Sequence, residues 1–257
     1  MIRIKTKEDI AILREGGKRH AEIMRELADM VRPGVTSMEL ENHARKLILA
    51  GGDKPAFLGY KPSGAKRPYP AALCVSINNE IVHGIPNEGD KVLKEGDIVS
   101  LDLGLIHKSL ITDMAVTVPV GKISPELANL LKITKEALNS GIKAAKGGKK
   151  VSDISAAIER HARSANYGVV EELSGHGVGY EVHEDPYVPN FISSESKKSS
   201  TLKPGMVIAI EPMFNIGTGE VILSKDGYTY LTADGKPSAH FEHTVLITKG
   251  DAEILTQ

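Results

Sequence analysis

Two ten-residue stretches of the chain, 93–102 (LKEGDIVSLD) and 202–211 (LKPGMVIAIE), are near-copies that end in an acid. Each reads as a turn followed by a buried strand, so Asp102 and Glu211 close an apolar run. A carboxylate desolvated in this way needs a counter-ion, a proton or a metal. A second acid follows each copy, Asp113 in the segment DMAV and Glu242 in the matching segment EHTV. If the chain reverses at His107-Lys108, residues whose numbers total 215 face one another, which sets Asp102 directly across from Asp113. Their Cβ atoms would then lie roughly 5 Å apart. Between the two acid pairs runs 174–183 (SGHGVGYEVH), where glycines beside His176 let the backbone come close to a ligand. Carboxylates with an imidazole suit first-row divalent metals, and bridging carboxylates suit two ions about 3.5–4 Å apart.

The elements that must carry these residues also occur twice. Thr6 and Asp9 form a capping-box pattern ahead of apolar residues spaced three and four apart, predicting a helix over 6–32 that Pro33-Gly34 ends. A second helix is expected from Thr36, with Glu39 three residues on, to Gly51-Gly52. In the other half Ser124-Pro125-Glu126 opens a helix closed by Gly147-Gly148, and Ser152 is expected to cap one ending near Gly168. The segment ENHAR at 41–45 recurs as ERHAR at 159–163, a displacement of 118 that also relates Thr6 to Ser124. Segments 98–105, 110–120, 207–211 and 239–248 have the branched, alternating composition of strands. Helix pairs followed by hairpins, without βαβ units, predict an α+β class with a largely antiparallel sheet. The halves, approximately 6–121 and 124–250, are expected to share one core about a pseudo-twofold, making 1–257 a single domain.

Composition narrows the function classes. Net charge is −1 and no basic block is long enough to make nucleic acid the main partner. No apolar run approaches a membrane span, and the N-terminus lacks the apolar core of a signal peptide, so a cytoplasmic location is expected. Cys74 is the only cysteine, which excludes an intrachain disulfide and a cysteine-based zinc site. Of the other histidines, His20, His43 and His161 read as surface or packing residues on helices and His107 as a turn residue. His240 and His243 flank Glu242 without an evident role of their own, and His83 sits in the loop segment HGIP.

Taken together, SLDLG, ITDM, SGHGVG, IEPM and FEHT resemble the ordered motifs of the type I methionine aminopeptidases, a branch of the pita-bread metallopeptidase family. The resemblance covers essentially the whole chain. It implies the pita-bread fold and two divalent ions (Co, Mn, Fe or Zn) on Asp102, Asp113, His176, Glu211 and Glu242. Asp113 and Glu242 would bridge the ions, Asp102 would bind one, and His176 and Glu211 the other. It further implies hydrolytic removal of an N-terminal methionine, with Glu211 shuttling protons, His183 polarising the scissile group and His83 near the leaving amide. Tyr60, Tyr69, Cys74 and Tyr228 would line the substrate pocket. The implied partners are N-terminal methionine of peptides and nascent proteins and, transiently, the ribosome, met by a monomer without membrane or specific nucleic-acid binding. Three departures touch the pocket wall: the loop 61–68 is longer than in common bacterial relatives, Val182 replaces a frequent aromatic, and Tyr228 stands where tryptophan is common. A proline-specific pita-bread peptidase would keep the same metal ligands, and a non-catalytic binding module of the family would typically lose them.

Overall fold

The computed structural model describes residues 2–257, Lys197 through its backbone only. Thr6 and Thr36 cap α1 (Lys7–Met30) and α2 (Ser37–Ala50) through reciprocal bonds with Asp9 and Glu39. Ser124 caps α3 (Pro125–Ala144), with Pro125 where its missing N–H costs nothing. The start of α4 (Val151–Ala165) differs from expectation, because Ser152 lies inside the first turn and Lys150 holds the cap position. The Asp153 carboxylate accepts from the Lys150 N–H at 2.8 Å, while the Ser152 hydroxyl accepts from Ser199 Oγ at 2.9 Å.

In chain order the strands are β1 (Lys54–Pro55), β2 (Leu73–Ile77), β3 (Glu80–Val82), β4 (Ile98–His107), β5 (Leu110–Pro119), β6 (Gly168–Val169), β7 (Ser174–Gly177) and β8 (Glu184–Pro189). They continue as β9 (Val207–Ile210), β10 (Met213–Asn215), β11 (Val221–Leu223), β12 (Tyr230–Thr232), β13 (Ser238–His240), β14 (Glu242–Leu246) and β15 (Glu253–Ile254). The main sheet has the order β1-β4-β5-β14-β9-β7-β8, with β2 also on β4 and β15 on β14. Two small sheets, β13-β10-β6 and β11-β12-β3, flank it. All these pairings are antiparallel. The strand expected over 239–248 is two strands broken at Phe241, one in a small sheet and one in the main sheet.

The two halves meet along β5–β14. Only Glu242↔Ala115 and His243↔Met114 pair there, and the Thr244 hydroxyl then replaces the ladder. It accepts from Asp113 N at 2.8 Å and donates to Asp113 O at 2.7 Å. Helices cover one face of the sheet. Met24, Leu27, Leu40 and Ile48 pack against Val99, Leu101, Leu103 and Leu105, and Leu138, Ile154 and Ile158 against Ile208, Ile210 and Val245. Because side chains alternate along a strand, packing Leu101 and Leu103 against helices sends Asp102 to the opposite face.

The ENHAR and ERHAR copies hold loops to helices. Glu41 is fully buried, accepts from Ala72 N and Leu73 N at 2.9 Å each, and pairs with Arg45. Glu159 pairs with Arg163 at 2.6 Å and accepts more loosely from Ile192 N at 3.3 Å. Removing Glu41 strands buried amides, whereas the Glu159 contacts face solvent. Glu41→Ala is therefore expected to lower unfolding free energy by about 2–4 kcal/mol and Glu159→Ala by less than about 1 kcal/mol, measured by urea unfolding. Equal losses would contradict this division of roles.

Candidate metal centre

The β4–β5 hairpin turns at Lys108-Ser109, one residue later than the sequence suggests. Both residues have positive φ, 44° and 74°, as a two-residue primed turn requires. The register is consequently Asp102↔Ala115 and Gly104↔Asp113, so the expected direct Asp102–Asp113 pair is instead diagonal. The acids still share a face, because cross-strand partners point the same way and residues two apart on one strand do too. Gly104 opposite Asp113 has no room for a side chain, since an added Cβ would lie 2.7 Å from Phe57.

Three donors converge most tightly: ligand atoms of Asp113, His176 and Glu242 lie within 4.8 Å of one another, all buried. The His176 Nδ1–H donates to Gly177 O at 2.9 Å, which turns the Nε2 lone pair toward Glu211 Oε1 at 3.4 Å and Asp113 Oδ2 at 3.9 Å. Asp102 is buried on the same face beside Cys74, its cross-strand partner on β2. The glycines flanking His176 also leave no room for side chains. An added Cβ on Gly175 would lie 2.5 Å from Ala209 O, and one on Gly177 2.3 Å from Asp185 O.

The electrostatics follow from burial. Desolvation raises Asp102 to about 7 and Glu211 to about 8. Burial, reinforced by neighbouring carboxylates, pushes Asp113 and Glu242 well above the carboxylate range. Burial also lowers His176 to about 3, leaving a neutral imidazole. Asp102 Oδ1 and Glu242 Oε1 are buried without a hydrogen bond, and the ion-pair contacts of these acids are all to histidine. Carboxyl oxygens crowded together, whose protons a cation can displace, beside an unprotonated imidazole, are the donor set of a divalent cation and fit one here.

All eleven residues assigned to the site from the resemblance line one cavity of about 90 Å³, together with Phe57, Pro62 and Val182. Tyr69 and Tyr228 pack edge to face with centroids 5.2 Å apart, and burial keeps the Cys74 thiol neutral by raising its pKa. The loop 61–68 closes this wall. Arg67 pairs with Glu88 and donates to Asp226 O at 3.1 Å, and Tyr228 Oη–H donates to Arg67 O. His83 reaches the cavity from a left-handed backbone position, φ 59°, with its ring edge to face with Tyr230. His183 stacks edge to face on His176, centroids 4.4 Å apart, and its Nδ1 lies 2.9 Å from the Tyr60 hydroxyl.

Several supporting residues were not legible from spacing. The turn bearing His183 is held by Glu184, which takes Lys5 Nζ at 2.7 Å in a buried ion pair and Tyr180 N at 2.6 Å. His107, expected in a turn, ends β4 and is buried against Asp53 at 2.7 Å. His20 is fully buried, 3.0 Å from the Thr112 hydroxyl. His240 is buried with Nε2 3.5 Å from Glu211 Oε2 and 4.0 Å from Glu242 Oε2. Only its position two residues before Glu242 could have signalled it.

An antiparallel sheet sheltered by two helix pairs, presenting buried acids and a histidine to a cavity, defines a metal-centre hydrolase of the pita-bread class. The chain belongs to metallopeptidase family M24, whose sequence profile matches residues 11–249. It is 48% identical to a methionine aminopeptidase of Aquifex aeolicus, over 100% of this chain and 99% of that one. The crystal structure of a methionine aminopeptidase from Thermotoga maritima superposes with TM-score 0.94 at 41% identity, covering 100% of both chains. A prolidase from Pyrococcus furiosus gives TM-score 0.76 at 25% identity, covering 99% of this chain and 65% of the prolidase.

The raised carboxyl pKa values have a thermodynamic consequence. Relative to ordinary values of 3.8 and 4.5, Asp102 and Glu211 bind their protons more tightly when folded. The stability they contribute is full below about pH 4 and is lost as pH rises through about 7 and then about 8. A divalent ion competes with those protons and restores stability at the alkaline end. Above about pH 6.5, where histidines buried as neutral imidazoles no longer take up protons on unfolding, the Tm of chelator-treated protein is expected to fall up to about pH 8.5, with added Mn²⁺ or Zn²⁺ raising it most at the upper limit. A metal increment that shrinks with rising pH would contradict the assignment.

Proposed function

We propose that the protein is a metal-dependent methionine aminopeptidase that removes the initiator methionine from peptides and nascent proteins. What supports this most is the union of the carboxylate–imidazole cluster with a wall of Phe57, Tyr60, Tyr69, Cys74, Val182 and Tyr228 in one cavity. That wall offers an unbranched apolar side chain contact with aromatic faces, which suits a thioether. The full-length likeness to methionine aminopeptidases, against 25% identity to the prolidase, favours methionine over proline as the specificity.

In this reading Asp102, Asp113, His176, Glu211 and Glu242 would hold two divalent ions, and Mn, Fe, Co or Zn would satisfy such donors. When bound, such ions lower the pKa of water toward neutrality and polarise the scissile carbonyl. Glu211 takes the proton released by the attacking water and returns it to the departing amine. With the Tyr60 hydroxyl donating to Nδ1, His183 keeps Nε2–H as a donor to the substrate, and burial keeps its imidazole neutral by lowering its pKa. His83, lowered to about 4 by burial, stands as a neutral partner for the leaving amide. Tyr60, Tyr69, Cys74 and Tyr228 enclose the methionine side chain.

The proposal takes the chain as one catalytic domain of two half-repeats, about 6–121 and 124–250, acting as a cytoplasmic monomer on chains emerging from the ribosome. No helix among the described residues is long and apolar enough to cross a membrane.

Hydrolysis of Met-Ala-Ser and Ala-Pro-Ala, before and after chelation and with each metal added back, tests the reading. Only the methionine peptide should be cleaved, and only with metal; cleavage of the proline peptide alone would reverse the specificity. Asp113→Ala should abolish turnover with folding retained, and near-normal activity would remove it from the metal centre. Tyr60→Phe should lower kcat/KM about fivefold, the worth of one hydrogen bond of about 1 kcal/mol.

A further inference from the structure

The residue that the proposed mechanism does not use, although it lies against the metal centre, is His240. Its side chain is buried at 1% exposure and neither ring nitrogen has a hydrogen-bond partner among the described residues. Leaving a buried polar side chain unmatched costs about 1–3 kcal/mol, so its retention calls for a role. Its Nε2 is 3.5 Å from Glu211 Oε2 and 4.0 Å from Glu242 Oε2. His176 approaches the other oxygen of the same glutamate, Oε1, at 3.4 Å. Glu211 thus stands between two imidazoles, one facing each oxygen.

The two imidazoles differ in what they face. His176 lines the cavity and has Nδ1 bound, the pattern of a ligand whose Nε2 lone pair is free. His240 does not line the cavity and its Nε2 is covered. The backbone holds it behind the glutamates. The Thr117 hydroxyl accepts from His240 N at 2.8 Å and donates to His240 O at 2.7 Å, and His240 pairs with Met213, two residues after Glu211. The break at Phe241 then turns Glu242 into the main sheet.

Resting on the metal-centre reading above, we propose that His240 is a positioning residue: its Nε2–H is directed at Glu211 Oε2, which keeps Oε1, on the His176 side, for the cation. A carboxylate ligand restrained in this way loses less freedom when the cation binds, and such outer partners typically change metal affinity about 10–100-fold.

The test compares the full-length wild type, His240→Gln and His240→Ala, each titrated with Co²⁺ against a competing chelator and recorded by visible absorption, with circular dichroism to check folding. Glutamine keeps an N–H donor where alanine has none. His240→Ala is expected to bind one of two Co²⁺ about 10–100-fold more weakly, with an altered spectrum, while His240→Gln stays within about threefold of wild type with its spectrum preserved. Wild-type affinity and spectrum in His240→Ala would overturn the proposal. So would a His240→Gln protein as impaired as His240→Ala, which would make His240 a direct ligand. If the alanine variant fails to fold, His240→Leu, which also lacks the donor, takes its place under the same criteria. Failure of the wild type to bind Co²⁺ would instead overturn the metal centre itself.

Discussion

Desolvation of four carboxyl groups crowded into one buried pocket constrains the rest of this structure. Asp102, Asp113, Glu211 and Glu242 are drawn from water by the strands that carry them, and no lysine or arginine ion-pairs with them among the described residues. Their protons are held to unusually high pH for that reason. A site built this way resists its own charge until a cation enters. The surrounding fold must therefore hold the acids together and away from water, which calls for rigid strands instead of loops.

The rigidity comes from joining two halves at their centres. One acid pair rides on β4–β5 and the other on β14 and the end of β9, so neither half holds the cluster alone. At the seam the regular ladder is short, and hydroxyls take over its work. Thr244 grips the peptide of Asp113, and Thr117 grips that of His240. Helix pairs on the other face fix the strands by packing, and the ENHAR and ERHAR carboxylates secure loops to those helices.

The histidine segment is not repeated. His176 and His183 arrive on β7 and the following turn, and that turn is fastened by a buried Lys5–Glu184 pair from the far end of the chain. The cavity wall likewise combines separate segments, with Arg67 of the loop 61–68 linking to Glu88, Asp226 and Tyr228. In the proposed reading, the metal-centre chemistry and the side-chain specificity consequently rest on different parts of the molecule. Changes in the loop 61–68, Val182 or Tyr228 reshape the wall while leaving the acids on their strands.

The sequence by itself determined the helix pairs, their caps at Thr6, Thr36 and Ser124, the acid-bearing strands and the face on which the acids lie. These depend on local chemistry and on strand parity, which survive a register error: Asp102 and Asp113 share a face whether their hairpin turns at 107–108 or at Lys108-Ser109. Only the tertiary structure decided distances. It made that pair diagonal, broke the 239–248 strand at Phe241, buried His107 against Asp53 and set His240 behind Glu211. Each of these results depends on which strand or helix lies alongside, a contact between residues far apart in the chain that periodicity and spacing do not encode.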